Sequence, residues 1–361
     1  MWMGVMFIWT GHWRMPKPSY CVYMKALVCT RPGKLDYIEI AEPELKKGYA
    51  IVRIRNICIC GTDLHAYEGT QPYFNYPRIL GHELSGELVD FDDAPSFQKG
   101  EIVTFLPYLN CGHCIACRNG KTNCCVNLEV CGVHIDGGMV DYYAVPSRLL
   151  VHAEGLSLTE LALVEPLSIG AHGVRRADIK PGERVLVMGA GPIGLAAMEF
   201  ARLGGAEIIA LDKNTRRLEF CKSKLGVRHI IQAGESNLSE QLSDITQGEM
   251  PTVVIDASGN RQAINQGFSW LSHGGRYILI GLQKEELVFS HPEFHKREAT
   301  LMSSRNATRE DFDRVIQVIQ NGLIQPLSFI TNRVKFIDAA SEFPRWSDPS
   351  GQVIKVVVEK D

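Results

Sequence analysis

Regular alternation of short apolar segments with amphipathic segments, in the second half of the chain, constrains the fold more than any other feature. Strands are predicted at 184–188, 207–211, 252–256 and 276–280, and helices near 193–203, 215–225, 238–246 and 262–271. Parallel strands need long crossover connections, and helices usually supply them. The pattern therefore predicts an α/β fold in which residues 175–308 form a doubly wound parallel sheet.

A glycine-rich turn, GAGPIG, follows the first predicted strand and opens the next helix. Gly189 permits the tight turn, Gly191 lets a pyrophosphate approach the backbone, and Gly194 allows the helix to pack closely on the strand. The N-terminus of that helix favours the phosphate charge. The turn is therefore predicted to bind a dinucleotide through Gly189, Gly191, Pro192, Ile193 and Gly194.

The residues at the following strand ends indicate which dinucleotide binds. Asp212 ends the next strand 18 residues after Gly194. There its carboxylate can accept hydrogen bonds from the ribose hydroxyls, and it would repel a ribose phosphate. NAD is therefore favoured over NADP, although nearby basic side chains weaken that preference, and Arg217 is placed against the adenosine end. Ser258 and Gly281 end later strands on the same rim, where the nicotinamide half is expected.

The first part of the chain, about 24–151, has the pattern of strands. Apolar and charged residues alternate in it, and glycine and proline interrupt it often, which is typical of a compact β-rich domain. A helical stretch is predicted near 159–174. Beyond the parallel sheet, the sequence predicts a helix at 310–320 and a strand at 353–358.

Four cysteines have the spacing Cys-x2-Cys-x2-Cys-x7-Cys, at Cys111, Cys114, Cys117 and Cys125. Four thiolates this close can surround one Zn²⁺ as a closed tetrahedron, which leaves no position for a substrate. The array therefore predicts a structural zinc site. Cys124 adjoins Cys125, and the residues alone leave either one as the fourth ligand.

A candidate metal site with an open position combines residues from separate segments. Cys60 and His82 offer one thiolate and one imidazole, and either Glu83 or the distant Glu165 could add a carboxylate oxygen. Three protein ligands leave the fourth position free, as a Lewis acid needs. Each of these residues alone would more often belong to a core. Their occurrence together, upstream of the four cysteines and a nucleotide fold, favours a catalytic metal.

These motifs resemble those of the zinc-dependent medium-chain alcohol dehydrogenases over nearly all of residues 24–361. The matching segments are CGTDLH at Cys60, GHE at His82, the four-cysteine segment, VEP at Glu165 and GAGPIG at Gly189. The resemblance implies a GroES-like β-barrel catalytic domain, with a zinc lobe, from 24–174 and 309–361. It implies a Rossmann NAD-binding domain from 175–308. Residues 1–23 are interpreted as an N-terminal extension outside the fold.

The resemblance also implies roles for the site residues. Cys60 and His82 would hold the catalytic zinc, with a carboxylate in place of the second cysteine of ethanol-oxidising members, as in the polyol and sugar branch. In that branch Glu83 is a ligand, and Glu165 lies near the metal directly or through water. The cysteine spacing of the family selects Cys125 as the fourth ligand of the structural zinc. Thr62 and His65 would relay the proton of the alcohol, and Asp63 would orient His82.

Two segments, HAYEGTQPYFNYPRILGHE and HPEFHKREATLMSSRNAT, look most like the sugar-acid dehydrogenases of that branch, which oxidise the C5 hydroxyl of L-galactonate or L-gulonate. A substrate that carries a carboxylate needs a cationic or amide-lined pocket. Arg305 is the best candidate and Asn306 the next. Weaker candidates for the pocket or its wall are His295, Lys296, Tyr73 and Phe74.

The charge and the cysteines limit the partners. With 38 basic and 41 acidic residues, the net charge of −3 favours neither nucleic acid nor an anionic membrane. The 11 cysteines are scattered and suit a reducing compartment, so a cytoplasmic location is expected. A small-molecule substrate and a homodimer or homotetramer follow from the resemblance. The alternatives are a polyol or L-threonine dehydrogenase, a zinc-ribbon binding module, and a catalytically silent relative.

Overall fold

The computed structural model describes residues 22–348 and 353–361. Most of the predicted N-terminal extension, 1–23, therefore lies outside the described residues, and the first strand begins at Tyr23. In the described ranges, no helix combines the length and the apolar character that crossing a membrane would require.

Strands dominate the first part of the chain, as the alternating pattern predicted. They are β1 (Tyr23–Arg31), β2 (Lys34–Ala41), β3 (Tyr49–Ile59), β4 (Arg78–Ile79), β5 (Glu83–Phe91), β6 (Ile102–Phe105), β7 (Tyr108–Leu109), β8 (Glu129–Val130), β9 (Tyr142–Pro146) and β10 (Leu150–Val151). The helices are α1 (Gly61–Glu68), α2 (Ile115–Arg118), α3 (Leu158–Ala162) and α4 (Val164–Ala177). The helical stretch predicted near 159–174 is therefore two helices, α3 and α4, with Leu163 between them.

Strands and helices then alternate through the second part. The strands are β11 (Arg184–Met188), β12 (Glu207–Asp212), β13 (His229–Gln232), β14 (Val253–Asp256), β15 (Arg276–Leu279) and β16 (Thr300–Ser303). The helices are α5 (Pro192–Leu203), α6 (Thr215–Leu225), α7 (Leu238–Ile245), α8 (Arg261–Gly267) and α9 (His291–Lys296). The four predicted strands match β11, β12, β14 and β15 to within one residue at each end.

These six strands form one parallel sheet in the order β13-β12-β11-β14-β15-β16. The chain moves outward from β11 to β13 and then returns to β14, so a crevice opens at the carboxyl ends of β11 and β14. The predicted doubly wound sheet is confirmed. The sequence analysis did not predict β13 and β16, because each has only four residues and most side chains of β16 are exposed.

The last part of the chain returns to the strand-rich part. It contains α10 (Arg309–Gln320), β17 (Ile330–Lys335), α11 (Ala339–Trp346) and β18 (Lys355–Glu359). β18 lies parallel to β17 and antiparallel to β3, with Val357 opposite Cys58. The resulting sheet has the order β10-β6-β5-β3-β18-β17, with β9 also paired to β3.

Two packing features position the candidate site. β3 and β5 are antiparallel, and Cys58 near the end of β3 faces Glu83 at the start of β5. Helix α4 approaches α5 so closely that a Cβ on Gly170 would lie 2.6 Å from the Cβ of Ala196. Because α4 carries Glu165 in its first turn, this close packing holds that carboxylate between the strand-rich part and the parallel sheet.

Candidate active site

The structure brings together Cys60, His82 and Glu83. Their ligand atoms all lie within 4.8 Å of one another. Cys60 follows β3 and caps α1, while His82 and Glu83 enter β5, so the antiparallel pairing of β3 with β5 accounts for the grouping. Glu83 is fully buried and His82 is 5% exposed. A group with these three donors has the composition of an open zinc site.

His82 supports the fit of a metal ion. Its Nδ1 is buried and has no hydrogen-bond partner among residues 22–348 and 353–361, which by itself costs about 1–3 kcal/mol. The nearest carboxylate oxygen, Oδ1 of Asp63, is 3.8 Å away. Asp63 instead accepts hydrogen bonds from the backbone N–H of Cys60, at 2.9 Å, and of Gly81, at 3.1 Å. Asp63 thus holds both ligand-bearing segments through their backbones.

A buried ion pair joins Glu83 to Lys355, which the sequence analysis did not identify. The Lys355 Nζ donates to both carboxylate oxygens at 2.7 Å, and the lysine is 2% exposed. Burial alone would lower the pKa of Lys355, but the Glu83 carboxylate and the Cys60 thiolate raise it above its usual value. The lysine therefore stays charged, and Glu83 faces a cation on one side and the Cys60–His82 pair on the other.

Glu165 lies beside this group rather than within it. It is 4% exposed, and the buried Tyr108 hydroxyl donates a hydrogen bond to its Oε1. Burial raises the pKa of Glu165 to about 7, while nearby His82 acts to lower it and Glu83 to raise it. Of the two carboxylates left open by the sequence, Glu83 is the one grouped with Cys60 and His82. Tyr108 had no sequence signal, because a tyrosine at the end of a short strand usually only packs.

The two predicted relay residues lie on α1. Thr62 is partly buried and His65 is exposed. The Nδ1 of His65 lies 3.2 Å from the Thr70 hydroxyl and 3.4 Å from a carboxylate oxygen of Glu68. Within the described part of the chain, no hydrogen bond joins Thr62 to His65. Thr62 lies near the metal ligands and His65 is in solvent, as the two ends of a proton relay would be. Their role in such a relay stays a prediction.

The four-cysteine group contains Cys125 and not Cys124. The Sγ atoms of Cys111, Cys114, Cys117 and Cys125 lie within 4.8 Å of one another, whereas Cys124 is exposed. Neighbouring sulfurs are 3.4 to 3.9 Å apart. A tetrahedron of thiolates with Zn–S bonds of about 2.3 Å has sulfurs about 3.8 Å apart. The geometry therefore fits a closed zinc site in the lobe that contains α2.

The glycine turn between β11 and α5 has the form of a phosphate cradle. Gly189 has φ +99°, and a Cβ there would lie 2.9 Å from the backbone nitrogen of Ser258. A Cβ on Gly194 would collide with the Gly189 carbonyl oxygen. Pro192 starts α5, whose N-terminus faces the turn, and the Arg217 guanidinium lies near Gly191. These features fit a pyrophosphate against the backbone.

Asp212 stabilises the same turn. Its Oδ2 accepts a hydrogen bond from the Ala190 N–H at 2.6 Å, and its Oδ1 accepts one from the Asn214 N–H at 2.7 Å. Each carboxylate oxygen has a second lone pair, so contact with ribose hydroxyls remains open. On the facing strand end, Asp256 accepts from the N–H and the hydroxyl of Ser258, and a Cβ on Gly281 would lie 2.5 Å from Oδ2 of Asp256. Ser258 and Gly281 therefore also shape the rim.

The predicted substrate residues separate into two groups. Arg305 and Asn306 follow β16 at its carboxyl end; Asn306 has φ +51°, and its buried amide nitrogen lacks a partner among the described residues. His295 and Lys296 lie in α9, which precedes β16, so they sit at the other end of that strand, about 10 Å away. The structure does not bring them to Arg305. Their exposure fits solvated side chains.

The two aromatic candidates for the pocket wall differ in how far they are exposed. Tyr73 is 55% exposed and its ring stacks on that of His134, with centroids 6.3 Å apart. Phe74 is partly buried and packs edge-on against Tyr76, at 4.8 Å, beside the core of the strand-rich part. Of these two, Tyr73 is therefore available to a ligand, while Phe74 packs.

Comparisons with known proteins agree with this architecture. The family described as "Alcohol dehydrogenase GroES-like domain" matches residues 46–155, and the family described as "Zinc-binding dehydrogenase" matches 192–321. L-galactonate-5-dehydrogenase of Escherichia coli (strain K12) is 40% identical over 336 residues, which are 93% of this chain and 98% of that protein. The regions matched by the two families include Cys60, His82, Glu83 and the four-cysteine group, and the start of α5 from Pro192 onward.

Solved structures are similar over the same length. RspB from E. coli CFT073, an alcohol dehydrogenase complexed with NADH, has a TM-score of 0.87 at 30% identity, covering 93% of this chain and 99% of that one. L-idonate 5-dehydrogenase from E. coli has a TM-score of 0.84 at 25% identity, covering 94% and 98%. The predicted pair of a GroES-like domain and a Rossmann domain is confirmed.

The family matches, the relatives and the fold lead to one conclusion. The cofactors are zinc and NAD, and the reaction is the oxidation of a CH–OH group of the polyol or sugar type. A zinc-ribbon binding module would need neither the cradle nor the dispersed ligand set. The chain belongs to the zinc-dependent medium-chain alcohol dehydrogenase family.

Proposed function

We propose that this enzyme oxidises the C5 hydroxyl of L-galactonate or L-gulonate with NAD⁺ to give the keto-uronate. The observation that carries the proposal is the grouping of Cys60, His82 and Glu83 within 4.8 Å, in a chain 40% identical to an L-galactonate-5-dehydrogenase. The exposed Arg305, which has no ion pair among the described residues, supplies a cation for the carboxylate of a hexonate.

We assign residues 24–174 and 309–361 to the catalytic domain and 175–308 to the cofactor domain. Cys60, His82 and Glu83 hold the catalytic metal ion and leave one position for the substrate oxygen. When bound, zinc polarises the substrate hydroxyl and NAD⁺ accepts the hydride. The glycine turn and Asp212 would hold the dinucleotide, and Ser258 and Gly281 would line the rim on the side of its nicotinamide half.

The remaining residues of the site position groups and move a proton. Tyr108 holds Glu165 beside His82 by its hydrogen bond. Lys355 lies against both oxygens of the buried Glu83 carboxylate and compensates its charge. The Thr62 hydroxyl takes up the proton of the substrate hydroxyl as it gives up its own, and His65, on the exposed side of α1, releases a proton to water.

NADH formation from a panel of substrates tests the function. L-galactonate and L-gulonate are compared with galactitol, sorbitol and L-threonine at equal concentrations. The proposal expects turnover of at least one hexonate, abolished by EDTA or by Cys60→Ser, with the exposed Cys124→Ser as a matched control that keeps activity. Much faster turnover of a neutral polyol or of L-threonine than of both acids would overturn it and establish the alternative substrate class.

We also propose that the enzyme is a homodimer or homotetramer in the cytoplasm, as the family resemblance implies. Light scattering coupled to size-exclusion chromatography measures the mass against the monomer mass of 40.2 kDa. A monomeric species at micromolar concentration would contradict the oligomer.

A further inference from the structure

His134 lies on a turn that packs directly against a metal-ligand segment. Glycines on that turn make the approach close: a Cβ on Gly132 would lie 2.8 Å from the backbone nitrogen of Gly81, and one on Gly137 would collide with the Gly81 carbonyl oxygen. Gly81 immediately precedes His82. The turn therefore packs against the segment that carries His82 and Glu83, and His134 is a partly buried polar side chain of that turn.

The hydrogen bonds of the turn determine the protonation of His134. The backbone N–H of Val130 donates to the Nδ1 of His134 at 3.1 Å. An imidazole nitrogen that accepts a hydrogen bond carries no proton, so the proton of the neutral ring is on Nε2. In the described chain, this Nε2–H has no acceptor. The ring stacks on Tyr73, at 6.3 Å and 25°, which fixes its plane.

The charges around the ring also favour the neutral form. Burial, followed by the guanidinium of Arg305, lowers the pKa of His134; Arg78 acts in the same direction and Glu129 in the opposite one. Arg78 is paired with Asp136 at 3.4 Å. Arg305 has no ion pair in the described ranges. Arg305 follows β16 of the parallel sheet, and its uncompensated charge acts on the neutral N–H donor of His134 in the strand-rich part.

The backbone of Arg305 is held by hydrogen bonds, whereas its guanidinium group is exposed. Its backbone carbonyl accepts a hydrogen bond from the side-chain amide of Asn123 at 2.8 Å. The same amide donates to the Nε2 of His172 at 3.1 Å, and the Nδ1 of His172 lies 2.8 Å from the Asp311 carboxylate. All three of these side chains are buried. The network holds the backbone at Arg305 while its guanidinium stays exposed and free to bind.

We infer that His134 and Arg305 together bind the anionic group of the substrate. The Nε2–H of His134 donates a hydrogen bond to one oxygen of that group, and Arg305 supplies the charge. The inference rests on the proposed function, because it names the part of the site that recognises the acid end of a hexonate. A terminal phosphate has the same chemistry, so the test includes both kinds of anion.

The test compares variants that differ in one property. His134→Phe keeps a planar ring against Tyr73 and loses the donor, while His134→Gln keeps an N–H donor. Arg305→Met removes the charge, and His273→Phe, an exposed histidine on a distant turn, is the control. For each, KM and kcat are measured with a hexonate, the neutral hexitol and a hexitol phosphate. Binding of each compound to the complex of the zinc-loaded enzyme with NADH is measured by calorimetry.

We expect His134→Phe to weaken hexonate binding about tenfold, and Arg305→Met about a hundredfold, with smaller changes in kcat and none for the hexitol. His134→Gln should recover most of the loss, and His273→Phe should match the wild type. Unchanged hexonate affinity in His134→Phe would overturn the inference, and so would an equal loss for hexonate and hexitol, because that result means a change of pocket shape.

The outcomes separate this inference from the proposed function. If the wild type oxidises only neutral polyols, but His134→Phe still lowers hexonate affinity, the sugar-acid function falls and the anion site stands. If the phosphate binds through His134 and the hexonate does not, the anion site stands with phosphate as its ligand. If a hexonate is oxidised and His134→Phe has no effect on its KM or affinity, the function stands and this inference falls. A wild type that binds no anion overturns both.

Discussion

The two cysteine-containing metal groups of this enzyme are built in opposite ways. The closed group comes from one segment of fifteen residues, and all four of its ligands are thiolates: Cys111, Cys114, Cys117 and Cys125. Cys60, His82 and Glu83 lie at the adjoining ends of β3 and β5, are surrounded by buried partners from other parts of the chain, and leave a position open. A site that only holds the chain together can therefore be local, whereas a site that must accept a substrate depends on distant elements.

The largest effect is expected from removing a ligand of the open group. Cys60→Ser should lower kcat/KM at least about a thousandfold, because zinc contributes several kcal/mol of charge stabilisation to the reaction. The bound zinc should fall from two ions to one per chain, with nearly unchanged far-UV circular dichroism. Activity is measured by NADH formation and zinc by atomic absorption. Full activity in Cys60→Ser would remove the distinction between the two groups.

The closed group should instead control stability. Cys114→Ser should destabilise the protein by several kcal/mol, about 10 °C in Tm, because zinc binding there is folding free energy. The soluble fraction that remains folded should retain catalytic zinc. Calorimetry and zinc counting measure this, with Cys124→Ser as the adjacent control. If Cys124→Ser lost the zinc and Cys125→Ser kept it, the assignment of the fourth ligand would be reversed.

The ion pair between Lys355 and Glu83 allows a test of whether Glu83 binds the metal. Lys355→Met leaves Glu83 buried without its cation, which should destabilise the zinc-free protein by about 3–5 kcal/mol. Bound zinc should offset part of this loss, because the metal then compensates the carboxylate. Tm values with and without a chelator measure the difference, and Lys355→Arg is the charge-conserving control. An equal loss in the two states would mean that Glu83 does not contact the metal.

The smallest effect concerns the carboxylate beside the open group. Tyr108→Phe removes the hydroxyl that donates to Glu165 and should cost about 1–3 kcal/mol in stability or activity, with both zinc ions retained. Steady-state kinetics and zinc counting measure it, and Tyr142→Phe, a partly exposed tyrosine on β9, serves as the control. Loss of the catalytic zinc in Tyr108→Phe would show that Glu165 is itself a ligand.

Much of the fold was predictable because its signals are local. Four strands of the parallel sheet, the glycine turn and α6 were predicted to within one residue, since apolar periodicity and capping act over a few residues. β13 and β16 were missed, because four-residue strands carry little periodicity. Lys355 was missed for a different reason: a lysine in a strand is usually exposed, and only the pairing of β18 with β3 buries it against Glu83.

Local spacing and residue chemistry were sufficient to determine the α/β architecture, the dinucleotide turn and the candidate closed zinc site, because each depends on residues near one another in the chain. The tertiary structure alone decided that Glu83 rather than Glu165 groups with Cys60 and His82, and that His295 and Lys296 lie away from Arg305. It also decided that Lys355 lies against Glu83 and Tyr108 against Glu165. Those outcomes depend on strand pairing and domain packing, and no short segment encodes either.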